Sequence, residues 1–291
     1  MPLPVNSPFQ GLSRPEAGLL IGACALAGLA VLGPALPADL HQHGFADQRT
    51  LLGIPCALDV LSNLPFAVAG LCGLAWWARL GREALGGVSR ALVGLFFAGL
   101  LLTAVGSGVY HWHPDDAGLL WDRLGMVLPF AGLLGLAAAG RVSPRAGWAA
   151  AGTVLLAGTA AVLWWAHSGN LLPWAAVQLG GMLVVLALAV LPRRADALAV
   201  HLGAVIAFYG VAKLFEAADH AVLEATGQWV SGHSLKHLIA AGAALPVLSA
   251  LAALQPGAMR HGTVAATGQN GGQRWPGSGP ATARNARRQG A

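Results

Sequence analysis

Charge is scarce in this sequence. Only 10% of its 291 residues are Asp, Glu, Lys or Arg, against 56% apolar, and a chain that cannot coat a globule with ionised groups does not fold as a water-soluble domain. Cysteine is scarce too: Cys24, Cys56 and Cys72 lie far apart without metal-like spacing. Neither a disulfide framework nor a thiolate metal site is implied. Basic residues are nowhere concentrated: the isoelectric point near 9.7 comes from arginines dispersed among several connections, so nucleic acid is not an expected partner.

What is present instead is a series of apolar runs of roughly 20 residues, the length of helix that crosses ~30 Å of hydrocarbon. The runs predict eight spans, at Ala17–Leu36, Leu58–Trp77, Ala91–Trp112, Leu119–Ala139, Trp148–Ala166, Leu171–Leu191, Leu198–Phe215 and His233–Leu254. The fold class expected is all-α, a polytopic membrane helix bundle. The first run is long for a signal-peptide core, and Pro34 and Pro37 crowd any cleavage site, so it is read as a helix that stays. Four parts follow: a cytoplasmic segment 1–16, a first helix with its external loop 17–53, a seven-helix core 54–254, and a tail 255–291. The tail is rich in Gly, Pro, Gln, Asn and Arg and is expected to be disordered.

Arginine sets the orientation. Arg79, Arg82 and Arg90, then Arg141 and Arg145, then Arg193 and Arg194, and finally Arg284, Arg287 and Arg288 occupy alternate connections, which places those faces and both termini in the cytoplasm. The remaining connections carry Asp39, Asp47, Asp115, Asp116, Asp219 and Glu224.

The stretch Val105–Gly125, VGSGVYHWHPDDAGLLWDRLG, puts polar side chains where two spans meet. Ser107 and His111, four apart, share a helix face. Pro114 ends that helix and a short turn follows, so the next helix packs antiparallel and brings Asp122 level with His111. A second pair, His233 and His237, opens the last span on the same non-cytoplasmic side. Three imidazoles with an open fourth position are the usual catalytic zinc arrangement. Asp122 would orient and deprotonate a water, and Ser107 would bond the water or an oxyanion. Ser107 could also simply bond the carbonyl four residues earlier in its helix.

The ordered set Ser107-x-x-x-His111, Asp122 and His233-x-x-x-His237, with Ser62-Asn63 in DVLSNLPF, resembles the alkaline ceramidase family, part of a wider group of transmembrane hydrolases that includes the adiponectin receptors. The likeness runs from about Ile54 to Leu254. It implies a seven-helix ceramidase-like core in which zinc, held by His111, His233 and His237, hydrolyses the amide of ceramide or a related lipid drawn from the bilayer, with Asp122 and Ser107 around the water. Two features depart from the family. The helix before the core is extra, and of the acidic set that forms a calcium site in eukaryotic members only Asp47 and Asp59 stand nearby, which leaves calcium doubtful.

Other polar residues receive structural readings. Lys213 and Glu216 are expected to pair, as are Lys236 and Asp219; Asp59 and Asn63 are expected to bond neighbouring helices. His113 points away from His111, toward the surface. Trp76, Trp77, Trp164 and Trp165 are read as headgroup anchors, and LGGM at Leu179 as helix packing. His41, His43, His167, His201 and His261 are assigned nothing.

Overall fold

The computed structural model describes residues 11–37 and 42–254. Most of the expected cytoplasmic segment, Asp39, His41 and the tail expected to be disordered lie outside these. Helix is the regular structure of the described residues; the only β pairing among them is two isolated bridges, Pro37 with Asn170 and Leu51 with Ile54. Seven helical stretches are long and apolar enough to cross a membrane, so the chain is a polytopic membrane helix bundle.

Helix α1 spans Arg14–Leu32, shifted from the expected Ala17–Leu36 for reasons visible at both ends. Ser13 and Glu16 form a reciprocal capping box with Pro15 in the first turn, and this starts the helix early. Pro34 disfavours helical geometry at Gly33, which is extended and stops it. Only Glu16 of this helix is buried. Its carboxylate accepts from Arg145 and Ser143, and Leu26 packs against Gly180, so α1 lies along the outside of the bundle.

The second expected span is broken into α2, Ala57–Leu61, and α3, Leu64–Arg79, with Pro65 opening the latter. Then come α4, Gly87–Trp112, α5, Asp116–Arg141, and α6, Pro144–Ser168. Each outruns its apolar core by a few residues, and for α5 and α6 the early start follows from the caps Asp115 and Ser143. The sixth span is α7, Leu172–Ala175, a π turn, Ala176–Gly180, and α8, Gly181–Ala189. Helix α9 covers Leu202–Ala217, α10 Asp219–Ala225, and the last span divides at Pro246 into α11, Gly232–Gly242, and α12, Leu245–Ala252.

Helices α4 and α5 meet along glycines. A Cβ on Gly106 would lie 2.5 Å from the Trp121 carbonyl oxygen, and one on Gly99 2.3 Å from the Pro129 nitrogen. From the other side, Cβ atoms on Gly118, Gly125 and Gly132 would strike Tyr110 and His113, Leu102 and Thr103, and Phe96. Backbones this close need residues without side chains at the contact. Both sets recur every seven residues, which keeps them on one seam of each helix. The seam fixes the register: Asp122 stands opposite Gly106 and Ser107, one turn deeper than the expected pairing with His111. Its carboxyl meets the Ser107 hydroxyl there.

Candidate metal centre

Three imidazoles converge where the C-terminal end of α4 meets the N-terminal end of α11. His111, His233 and His237 each offer a ring nitrogen, and these atoms lie within 4.8 Å of one another. Their ring centroids form a nearly equilateral triangle of 4.8, 4.9 and 4.8 Å. All three side chains are buried. The spacing of four on α11 and the seam that holds α4 set the triangle; no loop residue contributes a corner.

The hydrogen bonds around the triangle decide which nitrogens face it. Ser62 spends its single proton on the Asp59 carbonyl at 2.9 Å, so its 2.8 Å contact with His237 Nδ1 requires that nitrogen to be the donor. Nε2 of His237 then keeps its lone pair, the ordinary way an outer partner orients a metal-binding imidazole. His233 Nε2 accepts from Lys236 Nζ at 3.0 Å and lies 3.3 Å from His111 Nε2. Ligand atoms about 2.0–2.1 Å from a tetrahedral zinc stand roughly 3.3–3.4 Å apart. The His111–His233 pair therefore has the spacing such an ion needs, and the third imidazole nitrogen lies within 4.8 Å of both. His111 Nδ1 is buried without a partner.

Ser107 is buried, and its hydroxyl faces the Asp122 carboxylate rather than the carbonyl one turn back. It is Thr103 that bonds backward, to Gly99, and across the seam to Gly125. Asp122 is not one of the groups within 4.8 Å of the imidazole nitrogens. It stands outside the triangle, against Ser107. His113 is exposed and stays apart from the triangle.

The segment before α2 covers the site. Phe45 is buried with its ring 4.5 Å from that of His111 and 4.7 Å from that of His233. Asp219 pins this cover, accepting from the Ala46 amide at 3.0 Å and from the His233 amide at 2.7 Å. Two bonds from the Arg49 guanidinium, which also reaches the Trp229 carbonyl, hold the Asp47 carboxyl below the usual carboxylate range. On its far side His43 bonds Tyr110 and Asp116.

Some polar readings change. Lys213 does pair with Glu216, but Lys236 bonds Glu216 at 3.0 Å, not Asp219, whose two oxygens are taken by backbone amides. Asp59 bridges to Ser231 and Ser234 near the start of α11, whereas Asn63 turns back to the Asp59 carbonyl within its own chain segment. Trp165 is no anchor: it is buried beneath the Arg123 guanidinium, 3.9 Å from its ring centre. Sequence reasoning missed Phe45, His43 and Arg123. The apolar Phe45 carries no local signal, but an arginine one residue beyond an intramembrane aspartate is itself such a signal.

Fold and site together define a membrane helix bundle with a buried three-histidine centre able to hold a metal ion. A comparison with models of known protein families matches none of them, and no curated protein sequence matches the chain.

Proposed function

We propose that the chain is a zinc-dependent amidohydrolase embedded in the cell membrane, cleaving the amide of ceramide or a related lipid to a sphingoid base or amine and a fatty acid. The observation that carries this reading is the imidazole triangle, with one nitrogen pair 3.3 Å apart, and, one turn deeper, the Asp122 carboxyl against Ser107 of α4. Its resemblance to the ceramidase motif set is the second support. By the distribution of arginines, the site lies near the non-cytoplasmic face and both termini are cytoplasmic.

A zinc ion held by the three histidines would supply Lewis acidity, polarising the amide carbonyl and acidifying a water. Asp122 would accept a proton from the attacking water and pass it to the departing nitrogen, the ordinary task of a carboxylate near a cleaved acyl bond. Ser107 has one hydroxyl proton: it holds the Asp122 carboxylate with it before turnover, and is free to turn it to the developing oxyanion once Asp122 has taken a proton. Phe45 keeps bulk water from the imidazoles, and Ser62 keeps His237 in the tautomer that faces the ion.

The test is a panel of lipid amides and esters given to detergent-solubilised protein with and without a chelator, alongside its zinc content. His237→Ala is expected to lose both zinc and turnover. Asp122→Asn should retain zinc while hydrolysis falls by about 10²–10⁴-fold, the usual worth of a general base. Zinc at one per chain with no hydrolysis of any lipid tested would instead make the site a tie between helices. Absence of stoichiometric zinc overturns the reading outright.

A further inference from the structure

Arg123 has no place in that chemistry. It faces α6, about a quarter-turn around α5 from Asp122, with only 9% of its surface exposed. Its Nη1 is buried without a hydrogen-bond partner, and no acid of the described residues forms an ion pair with it. An unpaired guanidinium inside a bundle is costly, because the donors given up by water are not replaced. Stacking on Trp165, 3.9 Å away, satisfies the face of the cation and leaves its N–H edge unused.

A cavity of about 400 Å³ lies between α5 and α6, lined by Asp116, Ala117 and Leu120 on one side, Trp165 and Ala166 on the other, and Gln42 at its outer end. Arg123 follows Leu120 by three residues on the same helix face, and Trp165 is both its platform and a wall of the cavity. The guanidinium therefore lies one turn beyond the Leu120 wall, stacked on the Trp165 that the cavity shares. Asp116, the one acid on the wall, is already bonded by Gln42 at 2.8 Å and His43 at 3.1 Å.

We propose that this groove binds the anionic oxygen head group of an acyl lipid, carboxylate or phosphate, with Arg123 as its seat. A planar fork of N–H donors matches two oxygens of either group. The volume falls at the small end of ligand pockets and suits a head group with its first methylenes, the rest of the chain lying along the lipid-facing surface of α6. The site is separate from the imidazole triangle, and its occupancy does not depend on hydrolysis or on metal.

The experiment uses the purified full chain in detergent with chelator present, and follows binding by thermal unfolding and native mass spectrometry. The probes are oleate, dioleoyl phosphatidylglycerol, inorganic phosphate and, as the uncharged control, oleyl alcohol. Oleate or the phospholipid should bind saturably and raise the unfolding temperature, the tighter of the two identifying the source of the anion. Arg123→Gln should weaken that binding by about 10–100-fold, the worth of a charge-assisted bond, and Arg123→Lys by less. Ala117→Trp, which fills the groove and leaves Arg123 intact, should also block binding, so the outcome survives a variant that fails to fold. Equal binding by wild type and Arg123→Gln, oleyl alcohol as effective as oleate, or inorganic phosphate as tight as either lipid would each overturn the proposal.

Discussion

At the scale of single residues, the centre turns on which group holds one lone pair. His233 Nε2 has a single pair, and the Lys236 ammonium, held by Glu216, donates into it at 3.0 Å. A metal ion and an ammonium cannot share those electrons, so binding at His233 displaces Lys236 and leaves two cations close together. Lys236→Met is expected to raise zinc affinity by about tenfold, the equivalent of one charged hydrogen bond, when measured by competition with a chromophoric chelator. A fall in affinity would mean that the lysine helps to assemble the site. Much of this was legible in the sequence: spacings of four named His233 with His237 and Ser107 with His111, and the cost of intramembrane charge singled out Asp122. The partner of Lys236 was not, because Glu216 and Asp219 are nearly equivalent in sequence and only the break between α9 and α10 at Ala218 separates their directions.

At the scale of helices, the glycine seam between α4 and α5 holds Asp122 in place. A methyl at Gly106 meets the Trp121 carbonyl at 2.5 Å, a backbone atom that cannot rotate aside, whereas a methyl at Gly108, half a turn away, meets nothing within 4 Å. Gly106→Ala is therefore expected to lower stability by about 1–3 kcal/mol, the usual cost of overpacking, and, on the proposed function, to slow hydrolysis as Asp122 shifts. Gly108→Ala should be neutral or stabilise by about 0.5–1 kcal/mol through helix propensity. Thermal unfolding of the two variants side by side checks the pair; equal stability would show that the helices part without cost. Hydropathy predicted the helices themselves well, since a run of apolar residues is its own signal. Their breaks and register are less visible. Pro65 and Pro246 interrupt spans whose composition is continuous, and the one-turn error in placing Asp122 came from counting turns where backbone contact sets the alignment.

At the scale of the whole molecule, seven of the eight expected passes are helices long and apolar enough to cross a membrane among the described residues, and the remaining one, α9, is not: its 16 residues rise only about 24 Å. It nevertheless joins the two ends of the bundle. The chain leading into it bonds the arginine-rich end, where Arg194 donates to the Gly140 carbonyl and Arg141 to that of Leu191. The chain leaving it reaches the cover over the imidazoles through Asp219. Lys213 and Glu216 near its C-terminal end mark where its apolar stretch stops. An even number of passes is what keeps the arginine connections on one side, and this makes orientation a test of α9 as well as of charge. In a background with Cys24, Cys56 and Cys72 replaced, Ala84→Cys, between α3 and α4, should react with a membrane-impermeant maleimide only after permeabilisation. Trp229→Cys, beyond α10 at an 80% exposed position, should react in intact cells. Labelling of both from the same side would mean that the chain between them crosses an even number of times, and would remove α9 or another helix from the count.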